Sequence, residues 1–422
     1  VPVPVPTDVV DVTHTVIVGA SLAGLRAAEG LRRRGYHGAI TIIGEEDHLP
    51  YDRPPLSKQY LTGKTDAAGT ALALPDDLDV TWKLGTRAVE LDLAARAVRT
   101  TPASTSDQTS ASESASATDQ EWWPFDQLVI ATGAHARRWP SATPEGVHVL
   151  RTLDDAEALS ASLVEGARVV IVGAGFIGLE VAASCRHRGL DVTVIEPLDA
   201  PVVRAVGPVI GAWLAELHRS RGVELRLSTA VEGFVGDDHV EAVRLADGTL
   251  VPADVVVVGI GAVPTTDWLG TSGVDLDNGV VCNERLQVLA GGQPVPGVVA
   301  AGDVTRWWHT GWAESARIEH WTNAADQGDM AAATLLDGDA APAFAPLPYV
   351  WSDQYERKLQ VLGHIRGDDD MVVLEENAEE TRLLAAFGRN GRLVGAVGVG
   401  RPAKVMALGR RITAGEPFPP AD

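Results

Sequence analysis

Two stretches of this chain repeat one order of apolar and polar positions. A β-rich run, Thr15–Val18, turns through Gly19-Ala20-Ser21-Leu22-Ala23-Gly24 into a stretch of helical periodicity that stops at Arg32-Arg33-Arg34-Gly35. A second β-rich run, Ala39–Gly44, then closes on Glu45. About 150 residues later the order recurs: Val169–Val172, Gly173-Ala174-Gly175-Phe176-Ile177-Gly178, a helical stretch, Val192–Ile195 and Glu196. Each stretch predicts strand, glycine turn, helix and strand, closed by an acid. The three arginines set cations against the negative end of the first helix, with Gly35 as its C-cap, and read as structural, a share in partner docking being the alternative.

Further along, Asp254–Val258 reads as a strand of the second unit, and Val298-Val299-Ala300-Ala301-Gly302-Asp303 as a strand and turn before a helix over about Asn323–Leu336. After the Pro-rich hinge Pro342–Pro348 come four β-like runs, Leu359–Ile365, Met371–Leu374, Thr381–Phe387 and Leu393–Val399, and a final helix. The chain of 422 residues suggests roughly two to three domains at about 150 residues each. One domain is expected to be inserted into another: 12–147 with 266–338, then 148–265, then 339–422. The Ser/Thr/Ala-rich stretch 101–120 carries too little apolar surface to order itself, and is expected to be a mobile hairpin tip or insertion. Val1–Pro6, Pro-alternating and without a basic or apolar leader segment, reads as a flexible arm.

A net charge of −22 argues against nucleic-acid binding and against docking on anionic membranes. No apolar run reaches the roughly 18 residues that cross a bilayer. The expectation is a cytoplasmic protein. Only Cys185 and Cys282 are present, without the close spacing of a redox-active pair, and they read as buried inert thiols. The 11 histidines are scattered, so no metal site is expected.

The glycine motifs carry the chemistry. Gly19 permits a tight turn, and Gly24 lets helix and strand pack closely. Ser21 replaces the usual middle glycine with a hydroxyl small enough to admit a pyrophosphate at the helix N-terminus. Glu45 is expected to accept from adenosine ribose hydroxyls. Glu196 is expected to bond a ribose 2′-hydroxyl and repel a 2′-phosphate, which favours NADH. Pro197 follows it rather than a cation, although Arg204 can reach the ribose or pyrophosphate. A single such motif can be a ligand-free turn. Two in tandem predict two dinucleotides bound at once, and electron transfer between them.

Tyr51-Asp52-Arg53-Pro54-Pro55-Leu56-Ser57-Lys58 resembles a signature of the FAD-containing, NADH-dependent ferredoxin reductases of bacterial oxygenase and cytochrome P450 systems, the putidaredoxin reductase and rubredoxin reductase group. Ala131-Thr132-Gly133, Gly259-Ile260-Gly261 with Pro264, Ala301-Gly302-Asp303, Glu319-His320-Trp321-Thr322-Asn323-Ala324 and Pro348–Tyr355 follow in the family's order. The resemblance spans about residues 13 to 412. It implies an α/β fold of the glutathione-reductase type, with two Rossmann-like dinucleotide-binding domains, for FAD and NAD, and a C-terminal α+β domain.

By resemblance, Ala23, Glu45, Arg53, Lys58, Ala88, Arg137, Asp303 and Trp321 match FAD-contacting positions, and the Glu319–Trp321 backbone lies near the flavin ring. The FAD set also takes in Gly19, Ser21, Leu22, Gly24, Ala131, Thr132, Gly133, Gly302 and His320. Phe176, Ile177, Glu180, Glu196, Arg204, Gly259 and Ile260 match NADH-contacting positions, alongside Gly173, Gly175, Gly178 and Gly261. Residues 134–139 depart from the family's usual Pro-Arg pattern, which leaves Arg137 and Arg138 as competing candidates.

Lys58 and Glu180 are the expected reactive pair: a lysine beside flavin N5 and O4 stabilises arriving negative charge, and a carboxylate pairs with it. The alternatives are a solvated helix face for Glu180 and a structural ion pair for Lys58. The implied activity is NADH to FAD to a small acidic [2Fe–2S] ferredoxin, in a monomer or weak homodimer. The rivals are a rubredoxin reductase, an NADH oxidase, or a slow FAD/NADH-binding redox sensor.

Overall fold

A computed structural model of the protein describes residues 13–103, 120–377 and 379–420. The N-terminal arm and residues 104–119 of the Ser/Thr-rich stretch lie outside them. The described chain divides into two compact units. The first takes residues up to Tyr51, then Leu72–Ala134 and Pro264–Ala345; the second takes Asp52–Ala71, His135–Val263 and the chain from Pro346.

The first unit is built on a nine-stranded sheet. Its centre is parallel: His14–Val18 lies between Ala39–Ile43 and Gln127–Ile130, and the end of the strand Gln293–Ala300 pairs with Gln127–Ile130 on the far side. Parallel strands covered on both faces must be apolar throughout. Val16, Ile17, Val18, Leu128, Val129 and Ile130 are accordingly all buried.

Helix Leu22–Arg33 packs on helix Trp321–Asp337 through small residues. A Cβ at Gly328 would sit 2.4 Å from the Ala23 carbonyl oxygen, and one at Gly30 would sit 2.8 Å from Ala332 Cβ. The terminal arginines are structural, as expected. Arg34 donates twice to the Asp329 carboxylate, at 2.7 and 2.8 Å, and Arg33 joins it. Arg32 ties the carbonyls of Tyr36, Gly38 and Leu78 together.

The second unit holds a five-stranded parallel sheet, ordered Glu224–Arg226, Asp191–Ile195, Arg168–Val172, Val255–Val258, Val147–His148. It also holds a five-stranded antiparallel sheet from the C-terminal runs, Tyr349–Gln354, Arg357–Gly363, Asp370–Asn377, Arg382–Arg389 and Arg392–Val399, followed by helix Pro402–Thr413. Helix Val203–Ser220 presents Val206, Ile210, Leu214 and Leu217 to Leu359, Leu383 and Val397 of that sheet, forming one apolar core. The fold is α/β with two doubly wound sheets and a C-terminal α+β module. Among the described residues no helix is long and apolar enough to cross a membrane.

Candidate dinucleotide sites and a buried lysine–glutamate pair

In the first unit the turn after His14–Val18 is so close to its neighbours that only glycine fits. Gly19 has φ +127°, and a Cβ there would lie 2.0 Å from the Ala131 carbonyl oxygen; one at Gly24 would lie 2.0 Å from the Gly19 carbonyl oxygen. Ser21 is the N-cap of helix Leu22–Arg33, and its side chain makes no capping bond. The helix N-terminus therefore keeps its backbone donors for an anion.

Ala131, Thr132 and Gly133 follow the adjoining strand, where the Thr132 hydroxyl donates to the Thr265 carbonyl at 2.8 Å. Gly302, at φ +84°, comes within contact of Ala23, and its amide donates to Gln327 Oε1 at 2.8 Å. Arg317 pairs with Glu319 at 2.6 Å and donates to the Asp303 carbonyl at 3.1 Å.

His320 caps helix Trp321–Asp337, and burial pushes its ring pKa down to about 4, against the opposing charge of Asp303. His320 Nδ1, Asn323 Oδ1 and Gln327 Nε2 are buried without a protein partner. Buried polar atoms of this kind want a polar ligand, so the site fits a group such as FAD. Glu45 is half exposed and pairs with Arg87 Nε at 2.9 Å; Ala88 follows on the same strand.

The second unit repeats the cradle. A Cβ at Gly173, φ +105°, would lie 2.3 Å from the Gly259 carbonyl oxygen, and one at Gly178 would lie 2.2 Å from the Gly173 carbonyl oxygen. Gly175 faces open space. Glu196 is buried, and its two oxygens accept from the Ala174 amide at 2.7 Å and the Leu198 amide at 3.0 Å. This fits a ribose diol and not a 2′-phosphate, which would meet a fixed anion. Phe176 and Ile177 open helix Phe176–His187, and Ile177 is exposed. Gly261 accepts from the Arg137 amide at 2.9 Å, and Ile260 packs on the core beneath. Arg204 is exposed on the first turn of its helix, and Arg53 donates to the Arg151 carbonyl at 2.6 Å.

The structure brings Lys58 and Glu180 together. Lys58 lies on a π-helical turn, Leu56–Tyr60, and its Nζ is 2.8 Å from Glu180 Oε2. Only 5% of the Glu180 side chain and 11% of that of Lys58 is exposed, so Glu180 is not on a solvated face. A buried carboxylate persists only if paired and hydrogen-bonded. Ser57 Oγ donates to Oε2 at 2.5 Å, and Ser352 Oγ donates to Oε1 at 2.5 Å. Ser184 in turn anchors the Ser57 carbonyl at 2.7 Å. Sequence reading missed Ser57, Ser184 and Ser352 as site residues. The available signal was the strand motif Trp351-Ser352-Asp353-Gln354, whose alternate members Ser352 and Gln354 share one face.

Both cysteines are buried and free; burial pushes the Cys185 thiol up to about 12 and raises Cys282 as well. Neither is a nucleophile at neutral pH.

Two phosphate cradles on doubly wound sheets, one in each unit, define a dinucleotide oxidoreductase. The chain belongs to the pyridine nucleotide-disulphide oxidoreductase family, whose model matches residues 13–328, and a reductase C-terminal model matches 349–422. The family's ferredoxin–NAD(+) reductases use FAD and NADH. Rhodocoxin reductase of Rhodococcus erythropolis is 38% identical over 408 residues, covering 95% of this chain and 89% of that protein. The ferredoxin–NAD(+) reductase component of the anthranilate 1,2-dioxygenase system of Burkholderia cepacia is 38% identical over 406 residues, covering 95% and 94%. The crystal structure of the covalent putidaredoxin reductase–putidaredoxin complex matches with a TM-score of 0.86 at 31% identity, covering 96% of this chain and 94% of that one.

Proposed function

We propose that this chain is an NADH-dependent ferredoxin reductase that supplies electrons, through FAD, to a small acidic [2Fe–2S] ferredoxin serving a cytochrome P450 or ring-hydroxylating oxygenase. The observation that carries the reading is the pair of cradles in a chain whose only thiols are buried and unreactive. Electrons entering from a nicotinamide must then leave by a route other than a disulfide. FAD, held by these residues, would supply a two-electron hydride acceptor that can give electrons up singly, which matches a one-electron iron–sulfur acceptor.

The chain's own residues divide the work. Gly19, Gly24 and the helix behind Ser21 seat one pyrophosphate, with residues 12–147 and 266–338 as the FAD-binding domain. Gly173, Gly175, Gly178 and Glu196 seat NADH in 148–265, and Glu196 rejects a 2′-phosphate. We assign Lys58 and Glu180 to the hydride step: a fixed ammonium stabilises negative charge as hydride arrives. Lys58→Ala is expected to slow flavin reduction about a hundredfold, with NADH binding little changed. Equal loss in both would remove the assignment.

A chain of charge −22 meets an acidic partner through local cations. Arg306 in the first unit and Lys404 in the second are candidates; in the isolated chain they pair with Asp277 and Glu375. Charge reversal at either should raise the ferredoxin KM and change its salt dependence.

The test is anaerobic mixing of the FAD-loaded protein with NADH, then NADPH, followed by [2Fe–2S] ferredoxins and cytochrome c. Fast bleaching by NADH, with ferredoxin-dependent cytochrome c reduction, is the expected result. Bleaching without ferredoxin dependence would move the protein to an oxidase or a sensor.

A further inference from the structure

The two oxygens of Glu180 are served differently. Oε2 faces Lys58 and Ser57, whereas Oε1 faces Ser352, behind which runs a line of buried neutral groups. Gln354 Nε2 donates to Ser352 Oγ at 2.9 Å, Gln354 Oε1 lies 2.8 Å from His218 Nε2, and His218 Nδ1 lies 3.0 Å from the Tyr355 hydroxyl. Ser352, Gln354 and His218 are each 0% exposed.

The polarity of the line follows from its members. An amide oxygen only accepts, so His218 carries its proton on Nε2; its Nδ1 is then a lone pair, and Tyr355 donates to it. Ser352 receives from Gln354 and has one proton, which it gives to the carboxylate. Every donor points toward Glu180. We infer that Ser352, Gln354 and His218 are positioning residues, a one-way hydrogen-bond chain that holds Glu180, and through it the Lys58 ammonium, in a single orientation.

Burial pushes the His218 pKa down to about 4, so the chain keeps its polarity at neutral pH. The charges near its outer end are Arg221, over the Tyr355 ring at 5.0 Å, Arg186 and Glu356; Lys58 is the charge at the inner end. Proton conduction is a poorer reading, because an amide cannot pass a proton from its oxygen to its nitrogen without tautomerising. Packing alone does not account for the chain either. Apolar side chains of helix Val203–Ser220 and the sheet pack together in one core, and a fully satisfied polar chain in that core can fix an orientation that packing alone would not.

The inference rests on the proposed role of Lys58 and Glu180, but its first readout does not. The sequence has five lysines, Lys58, Lys64, Lys83, Lys358 and Lys404, so acylation of each amine by acetic anhydride is resolved by mass spectrometry, with four internal references. In the FAD-loaded full chain, Ser352→Ala and Gln354→Met should label Lys58 several-fold faster and leave the other four unchanged. The limiting rate of flavin reduction should fall about tenfold, as for one lost charge-assisted hydrogen bond, with the NADH dissociation constant unchanged. Ser352→Thr should restore both. Tyr355→Phe, at the far end, should move both in the same direction by less, and carries the test if the inner variants do not fold. Lys58 labelling at the wild-type rate in folded variants, or a rise shared by all five lysines, overturns the chain. Faster Lys58 labelling with an unaltered reduction rate upholds the chain and removes the pair from the hydride step.

Discussion

The two glycine cradles have nearly the same backbone and hold their acids in opposite ways. Both begin on a glycine of positive φ pressed against a neighbouring carbonyl, at 2.0 Å for Gly19 and 2.3 Å for Gly173 if a Cβ were added. Glu45, closing the first, is half exposed and shares its charge with Arg87. Glu196, closing the second, is buried and held by two backbone amides. A motif read from spacing alone treats the two acids as equivalent. Their surroundings differ: Glu196 is a buried carboxylate fixed by two amides, the form a selector between nicotinamide cofactors would need, and Glu45 is a surface carboxylate in an ion pair.

The sharpest way to separate the cradles is to fill each one. Gly19→Val is expected to abolish FAD retention, and Gly173→Val to leave FAD in place while abolishing bleaching by NADH, because both put a branched side chain at positive φ into backbone. FAD content after gel filtration and stopped-flow bleaching distinguish them; loss of both cofactors in both variants would erase the comparison.

Next in size is a difference in acid stability. In each unit desolvation pushes the pKa of one histidine down to about 4, the partly buried His320 in the first and the fully buried His218 in the second. A buried neutral histidine binds its proton later than the unfolded chain does. The associated stability is therefore full above about pH 6.5 and is lost as pH falls toward about 4, a change of about 3 kcal/mol per residue. Urea unfolding of His218→Gln across that window should lose the His218 share. Bound FAD should alter the His320 share only, since its Nδ1 lacks a protein partner.

Glu196→Ala should lower kcat/KM for NADH roughly ten- to hundredfold and narrow the preference over NADPH. An unchanged preference would make Glu196 a loop brace and no selector. Glu45→Ala should have the smallest effect, less than about 1 kcal/mol in FAD affinity, as for an exposed ion pair. A loss as large as that at Glu196 would show that exposure misstates its role.

The strand–turn–helix units were legible because their signals are local. A positive-φ glycine, a helix stop of arginines and Gly35, and a run such as Val169–Val172 report on backbone sterics and burial within a dozen residues. Helix Trp321–Asp337 and four of the five C-terminal strands likewise emerged near their expected bounds, with the ends moving by a few residues where caps and edge pairing decide; the strand Tyr349–Gln354 was not expected. The site divides differently. Lys58 and Glu180 were named from motif resemblance. The carboxylate's remaining partners were not, because nothing near Glu180 in sequence announces a serine 172 residues away.

By itself, the sequence determined that two strand–glycine turn–helix units exist, that its two cysteines lack the spacing of a redox pair, and which acid ends each unit. These depend on short-range geometry and on composition. Tertiary structure alone decided that Glu196 is fixed and Glu45 is not, that Glu180 is buried rather than solvated, and that His218, Gln354 and Ser352 line up behind it. Those outcomes depend on burial and on hydrogen bonds between segments remote in the chain. Such energies are set by what surrounds a group once the backbone has folded.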